Sequence, residues 1–111
     1  MNMSFHLTTR QVRAREKTVT RRNGWQRARV GQVVQPIVKG QGLRKGEHVE
    51  QIGGPIRFVD VRREPLDAIT AADVELEGFP GMTPAAFVEL YRRANGGAAD
   101  QIVTRIQFEY L

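Results

Sequence analysis

The sequence reads KTVTRRNG at residues 17–24. Its β-branched residues alternate with polar ones, which predicts a strand, and the closing Asn-Gly pair favours a tight turn. Upstream, Thr8 or Thr9 is suited to cap a short basic helix over residues 11–16. The change from helix to strand therefore falls at Lys17.

Strand patterns continue on both sides of this stretch. Phe5 and Leu7 indicate a short strand before the helix. Residues 30–38 indicate another, which Pro36 should confine to an edge or a bulge because proline lacks a backbone donor. The glycine-rich residues 39–46 predict a loop, for which phosphate contact is the less favoured alternative.

Two further runs predict strands in the middle of the chain. Residues 48–52 are followed by the turn sequence Gly-Gly-Pro at residues 53–55 and by a second run at residues 56–63. The second run alternates imperfectly, as either a β-bulge or burial on both faces would explain.

Helices are predicted later in the chain. Thr70 resembles the first residue of a capping box, and Gly78 is suited to end the short helix that follows. Thr83 and Pro84 begin a longer amphipathic helix. Its apolar stripe consists of Phe87, Leu90, Tyr91 and Ala94.

The chain closes on alternating residues at 102–111, which predict a half-buried strand. Strands at both ends, more between them and a late pair of helices predict an α+β domain built on a small β-barrel, with short helices at its side. A length of 111 residues and a hydrophobic content of 41% suit one domain over residues 1–111.

Composition excludes several kinds of protein. There is no cysteine, which rules out disulfides, thiolate metal sites and a cysteine nucleophile. No secretory or membrane-spanning apolar run is present, so we expect a cytoplasmic protein without a membrane partner. The sequence leaves the oligomeric state open, with a monomer favoured.

Positive charge is concentrated in the N-terminal third. Residues 1–31 contain eight arginine and lysine residues against Glu16 alone. Such a patch attracts phosphate groups, and Arg13 and Arg15 of the predicted helix are candidate RNA contacts. The alternative is a solvated face whose arginines pair with acids from the rest of the chain.

The segment at residues 17–22, with Trp25 and the turn into the strand at residues 30–33, resembles the ASCH family. In that family a Lys-Thr-x-Thr-x-Arg segment precedes a turn that often holds an acid where this chain has Gln32. Glu77-Gly78-Phe79 and the closing strand extend the resemblance over nearly the whole chain.

The resemblance implies a PUA-like barrel with a cleft that handles RNA or a modified nucleoside. A bacterial branch of the family hydrolyses the acetyl amide of N4-acetylcytidine, and its catalytic lysine, threonine and glutamate would be Lys17, Thr20 and Glu77. Other members are regarded as non-catalytic RNA-binding modules, and ribonuclease activity has been ascribed to some. No cofactor is implied.

The chemistry of these residues can be weighed separately. A threonine hydroxyl needs a neighbour that takes its proton, and a lysine can do so if burial and cations such as Arg21 and Arg22 lower its pKa. Strict strand alternation would place Lys17 and Thr20 on opposite faces, so they converge only if Lys17 lies in the turn before the strand. Glu77 has three open roles: to accept the nucleobase amine, orient the lysine or relay a proton.

Structural roles compete with each of these assignments. Lys17 is also typical of a solvated helix end, Thr20 of a packed strand and Glu77 of an exposed last helical turn. Arg21 and Arg22 are also candidate contacts for RNA or a nucleoside, and the fork of Arg22 is suited to phosphate or carbonyl groups. Trp25 can stack on a base or cap a core.

The two histidines do not indicate a metal site. They are His6 and His48, which are far apart in sequence and lack a zinc-binding spacing.

Overall fold

The computed structural model describes residues 1–40 and 48–111, so most of the loop predicted at residues 39–46 lies outside the described residues. The described strands and α-helices are β1 (Asn2–Ser4), α1 (Thr9–Arg13), β2 (Val19–Arg22), β3 (Val33–Ile37), β4 (Ile56–Pro65), α2 (Ala71–Leu76), α3 (Pro84–Asn95) and β5 (Ile102–Tyr110). Short 3-10 turns cover His6–Thr8 and Leu66–Ala68. The α+β class predicted from the sequence is confirmed.

The five strands form one mixed sheet in the order β1-β3-β4-β5-β2. Only β1 and β3 run parallel, and the longest ladder joins β4 to β5. The predicted small β-barrel needs correction: the sheet is open and does not close into a barrel, since β1 and β2 lie at opposite edges. The three-residue β1 ends before the 3-10 turn, and side chains bridge the edges where a backbone ladder would be needed: the Arg22 guanidinium lies 4.6 Å from the Phe5 ring centroid.

Several local expectations are confirmed. The register between β4 and β5 shifts between Phe58 and Asp60, which agrees with a β-bulge, one of the two alternatives for this run. The Thr70 side chain accepts a hydrogen bond from the Asp73 backbone N–H at 3.2 Å and so caps α2. Thr83 caps α3 in the same way, with Pro84 in its first turn.

Other expectations need correction. Residues 6–8 form a 3-10 turn, so the N-terminal strand ends at Ser4 and does not include Phe5 or Leu7. Residues 48–52 contribute only an isolated bridge, from Gln51 to Ile37. Pro36 lies in a strand that has neighbours on both sides, yet the pairing of β3 with β4 ends at Val34, so proline interrupts no bond of that ladder.

Two apolar clusters make up the core. One packs the sheet around Met3, Phe58, Ile106 and Phe108. The other joins α2 and α3 to the start of β5 through Val74, Phe87, Tyr91 and Val103. Among the described helices, none combines the length and hydropathy needed to cross a membrane.

Candidate functional site

A cleft of about 470 Å³ lies beside the edge strand β2. Its polar side is formed by Lys17, Thr20, Arg21, Arg22 and Glu77. Its opposite side is largely apolar and comes from α3 and the loop before it: Phe79, Phe87, Leu90, Tyr91 and Ala94. The cleft thus combines an aromatic wall with convergent polar groups, as small-molecule sites do.

Lys17 and Thr20 reach the same cleft because β2 begins only at Val19. Lys17 lies in the connection after α1, outside the strand, so strand alternation does not apply to it. The condition set by the sequence for the two side chains to converge is therefore met.

The Lys17 ammonium is bound to Glu77. Its Nζ donates to the Glu77 Oε1 at 2.7 Å and to the Glu77 backbone oxygen at 2.8 Å. The two side chains are only 4% and 3% exposed. Burial holds the pKa of Lys17 below its ordinary value, with Arg22 and Arg21 acting in the same direction and Glu77 opposing them.

Local backbone structure brings Glu77 to this place. Glu77 is the C-cap residue directly after α2, and Gly78 follows with a φ of +102°, a conformation that favours glycine. The Thr18 backbone N–H donates to the Leu76 oxygen at 2.9 Å, and the buried Gln11 side chain donates to the Gly78 oxygen at 3.2 Å. These bonds fix the end of α2 against the connection that carries Lys17.

Thr20 is buried beside a cation. The Arg22 Nε donates to the Thr20 Oγ1 at 3.0 Å, and the Arg22 guanidinium lies over the Phe5 ring. Within the described ranges Arg22 forms no ion pair, and burial lowers its pKa to about 10. Arg22 therefore remains charged at neutral pH and has guanidinium N–H groups available at the cleft.

Arg21 lines the cleft but is already engaged by carboxylates. Its Nη1 donates to Glu77 Oε2 at 3.1 Å and its Nη2 to Asp73 Oδ2 at 2.6 Å. Its side chain is 1% exposed. This geometry favours a role in holding Glu77 over the ligand contact predicted from the sequence.

Two buried residues of this network were missed by sequence reasoning. They are Arg105 and Asp73. Arg105 donates two hydrogen bonds to Asp73, from Nε to Oδ2 at 2.7 Å and from Nη2 to Oδ1 at 3.0 Å. These bonds and those of Arg21 lower the pKa of Asp73 to about 2. Arg105 occupies an ordinary position of the closing strand and Asp73 an ordinary position of a capping box, so no local pattern marked them.

Tyr91 joins the predicted apolar stripe to the turn after β2. Its hydroxyl donates to Asn23 Oδ1 at 2.7 Å, and burial raises its pKa to about 12. The Phe87 ring lies between Phe79 and Tyr91, at centroid distances of 6.0 and 6.4 Å. Leu90 and Ala94 of the same stripe face the cleft.

The remaining predicted contacts lie elsewhere. Trp25 packs edge-on against Phe58, at 6.2 Å between centroids, and is not among the residues that line the cleft. Arg13 lies 3.8 Å from Glu50, and the Arg15 guanidinium lies 5.7 Å from the Tyr110 ring centroid. The structure does not bring these three residues to the Lys17–Glu77 pair.

The described residues offer no metal centre. In residues 1–40 and 48–111, no group of three or more histidine, aspartate or glutamate side chains is arranged to hold an ion. His6 belongs to the 3-10 turn at the rim of the cleft.

The fold defines a small α+β domain with an open five-stranded sheet and a cleft at one edge strand. It is similar to the crystal structure of protein EF3133 from Enterococcus faecalis V583, which carries the family model DUF984. The TM-score is 0.61 at 16% identity, over 96% of this chain and 68% of that one. At this identity the likeness shows the fold alone. No protein-family model matches the chain, and no curated protein matches its sequence.

Proposed function

We propose that this chain is an ASCH-type domain whose cleft binds a modified nucleoside, and that it hydrolyses N4-acetylcytidine to cytidine and acetate. The observation that carries the proposal is the buried Lys17–Glu77 ion pair in the cleft that also contains Thr20. Glu77, 60 positions after Lys17 in the chain, thus lines the same cleft as Lys17 and Thr20, which supports the proposal.

The reaction assigns one task to each group. Neutral Lys17 takes the proton of the Thr20 hydroxyl, and the oxygen attacks the acetyl carbon. The carbon–nitrogen bond then breaks, and the N4 amine leaves with a proton returned by Lys17. Water hydrolyses the acetyl-threonine ester in a second step, which releases acetate and restores the hydroxyl.

The surroundings of Thr20 favour this role. Arg22 donates to the Thr20 oxygen at 3.0 Å, and a cation at that distance stabilises the alkoxide form of the hydroxyl. Glu77 has both carboxylate oxygens engaged, one by Lys17 and one by Arg21. This favours orientation of the lysine over the other two roles considered for Glu77.

The size and wall of the cleft support a nucleoside ligand. About 470 Å³ suits one small molecule, and Phe79, Phe87 and Tyr91 offer ring surfaces to a planar base. The alternative is a non-catalytic or ribonuclease-type RNA-binding module, which the basic N-terminal third supports. This support is weaker because two of its arginines already pair with carboxylates: Arg10 with Glu16 at 3.3 Å and Arg13 with Glu50 at 3.8 Å.

The test is hydrolysis of N4-acetylcytidine, followed by chromatography of cytidine and acetate. We expect turnover by the natural chain and none by Thr20→Ala, with unchanged circular dichroism. Thr18→Val is the matched control, because Thr18 precedes the same strand but does not line the cleft. Turnover that survives Thr20→Ala removes the nucleophile; RNA binding or cleavage without any turnover favours the alternative.

A further inference from the structure

A line of buried charges runs from the middle of β5 to the cleft. Arg105 holds both oxygens of Asp73, and Asp73 Oδ2 also accepts from Arg21. Arg21 in turn donates to Glu77, which binds Lys17. Each side chain binds the next, so Arg105 is connected to Lys17 through the side chains of Asp73, Arg21 and Glu77.

Arg21 is the link between the two carboxylates. Asp73 and Glu77 lie four residues apart, which places them on one face of α2 and its last turn, and Arg21 spans them with its two terminal nitrogens. In the described part of the chain, Arg21 Nε is the one buried side-chain nitrogen or oxygen without a hydrogen-bond partner. A buried donor left unpaired costs stability. The Arg21 side chain therefore satisfies Asp73 and Glu77 while its own Nε–H stays without a partner.

The carboxylate of Glu77 is held at both of its oxygens by this line of charges. Lys17 holds Oε1 and Arg21 holds Oε2, so the carboxylate cannot rotate without breaking both contacts. We propose that Arg21, Asp73 and Arg105 are positioning residues that hold Glu77, and through it Lys17, in the orientation that the reaction needs. This inference rests on the proposed function but makes its own prediction about Lys17.

The sign of the effect follows from the charges that face Lys17. They are Arg21 and Arg22 from β2 and Glu77 from the end of α2. The titratable side chains of Tyr91 and His6 line the same cleft, and the Tyr110 hydroxyl of β5 donates to the Lys17 backbone oxygen. Asp73→Asn leaves Arg21 with Glu77 as its main partner, so Glu77 supports the ammonium less and the pKa of Lys17 falls. Arg105→Gln leaves Asp73 to Arg21 alone, which offsets the Arg21 charge more fully and raises the pKa of Lys17.

The experiment measures the pH dependence of kcat for N4-acetylcytidine and, separately, the NMR titration of the lysine Cε signals. The chain has only Lys17, Lys39 and Lys45, and Lys17→Arg identifies the signal of interest. We expect the rising limb of kcat to move by roughly half a pH unit or more, to lower pH in Asp73→Asn and to higher pH in Arg105→Gln. We also expect kcat to fall about tenfold with little change in KM, because the loss is one of orientation.

Arg57→Gln is the matched control. Arg57 of β4 pairs with Glu109 of β5 at 3.1 Å, and both side chains are exposed. It should leave both measurements unchanged.

Opposite shifts of the Lys17 titration support the positioning role even if no substrate is turned over, in which case the proposed function alone fails. Equal shifts in both variants, or none in either, overturn the positioning role. If Asp73→Asn does not fold, the direction of the Arg105→Gln shift decides.

Discussion

Glu77 binds the ammonium of Lys17 twice, through its carboxylate at 2.7 Å and through its own backbone oxygen at 2.8 Å. Within residues 1–40 and 48–111, Glu77 is thus the one residue that accepts hydrogen bonds from the Lys17 ammonium. The backbone oxygen keeps its position when the Glu77 side chain is replaced or rotates. Glu77 therefore orients the ammonium through its backbone and neutralises it through its carboxylate. Arg21 and Arg22, the cations beside this pair, disfavour the charged form of Lys17 and so lower its pKa.

If Lys17 is the general base, activity rises with pH through a lysine pKa below the ordinary value of 10.5. The base is the neutral amine, whose fraction grows as pH increases. Lys17→Arg keeps the positive charge but cannot lose its proton in this range, so we expect a loss of at least about a hundredfold in kcat. Full activity of Lys17→Arg in the deacetylation assay would contradict the assignment, whereas weaker binding alone would make Lys17 a contact for ligand charge.

Replacing Gly78 with alanine should destabilise the fold by more than strain alone. A Cβ at Gly78 would lie 2.8 Å from Gln11 Cγ, whereas one at Gly81 would meet nothing within 4 Å, although both glycines have a positive φ. We expect Gly81→Ala to lower the free energy of unfolding by about 1 kcal/mol, and Gly78→Ala by about 1 to 2 kcal/mol more. Urea unfolding measures both; equal losses would show that Gln11 yields to the methyl group at little cost.

Asp73 should stabilise the folded chain near neutral pH and lose this contribution in acid. Its pKa is about 2 in the folded chain, below the ordinary 3.8, so its contribution is present above about pH 4 and is lost as pH falls through the folded pKa. We expect the natural chain to lose about 2 kcal/mol of this contribution between pH 5 and pH 2.

Asp73→Asn leaves two buried arginines short of a carboxylate and should be less stable at neutral pH by about 3 kcal/mol. The difference in the free energy of unfolding between the natural chain and Asp73→Asn should decrease as the pH falls, because Asp73 itself then loses its charge. Urea titrations at pH 6, 4 and 2.5 test this, with the exposed-pair variant Glu109→Gln as control. A gap independent of pH would contradict the role of the Asp73 charge.

The arginines inside and outside the cleft should respond differently to salt. Arg13 and Arg15 lie away from the cleft, so if RNA binds, their replacement by alanine should weaken binding similarly for all sequences. The slope of log affinity against log salt should flatten by somewhat under one unit for each lost phosphate contact. Arg22→Ala should instead impair nucleoside recognition with a smaller change in slope.

Titrations of single-stranded RNA and of free nucleoside at several salt concentrations measure these effects. An unchanged slope in the Arg13/Arg15 double variant would remove the predicted phosphate contacts. Tight nucleoside binding without RNA affinity would leave these arginines as a solvated surface.

Local chemistry determined much of what could be predicted. Thr70 and Thr83 mark helix starts because their hydroxyls accept backbone N–H bonds within three residues, and Gly78 marks a helix end because of its φ. Alternation located β5, although burial of four consecutive residues from Val103 to Ile106 departs from the expected half-buried pattern. That departure arises because Val103 and Arg105, which alternate with Thr104 and Ile106, are covered on the second face, Val103 by the helical cluster and Arg105 by its bonds to Asp73.

The sequence by itself determined the α+β class, most of the element positions and the Lys17, Thr20 and Glu77 candidates, since these depend on short-range patterns and on the resemblance. Only the tertiary structure decided that the sheet stays open, that Lys17 and Thr20 share the cleft and that Arg21 turns to Asp73 and Glu77. These outcomes depend on contacts across some 30 to 60 residues of chain. No local pattern encodes them, because a buried charge is placed by whichever partner the fold brings within reach.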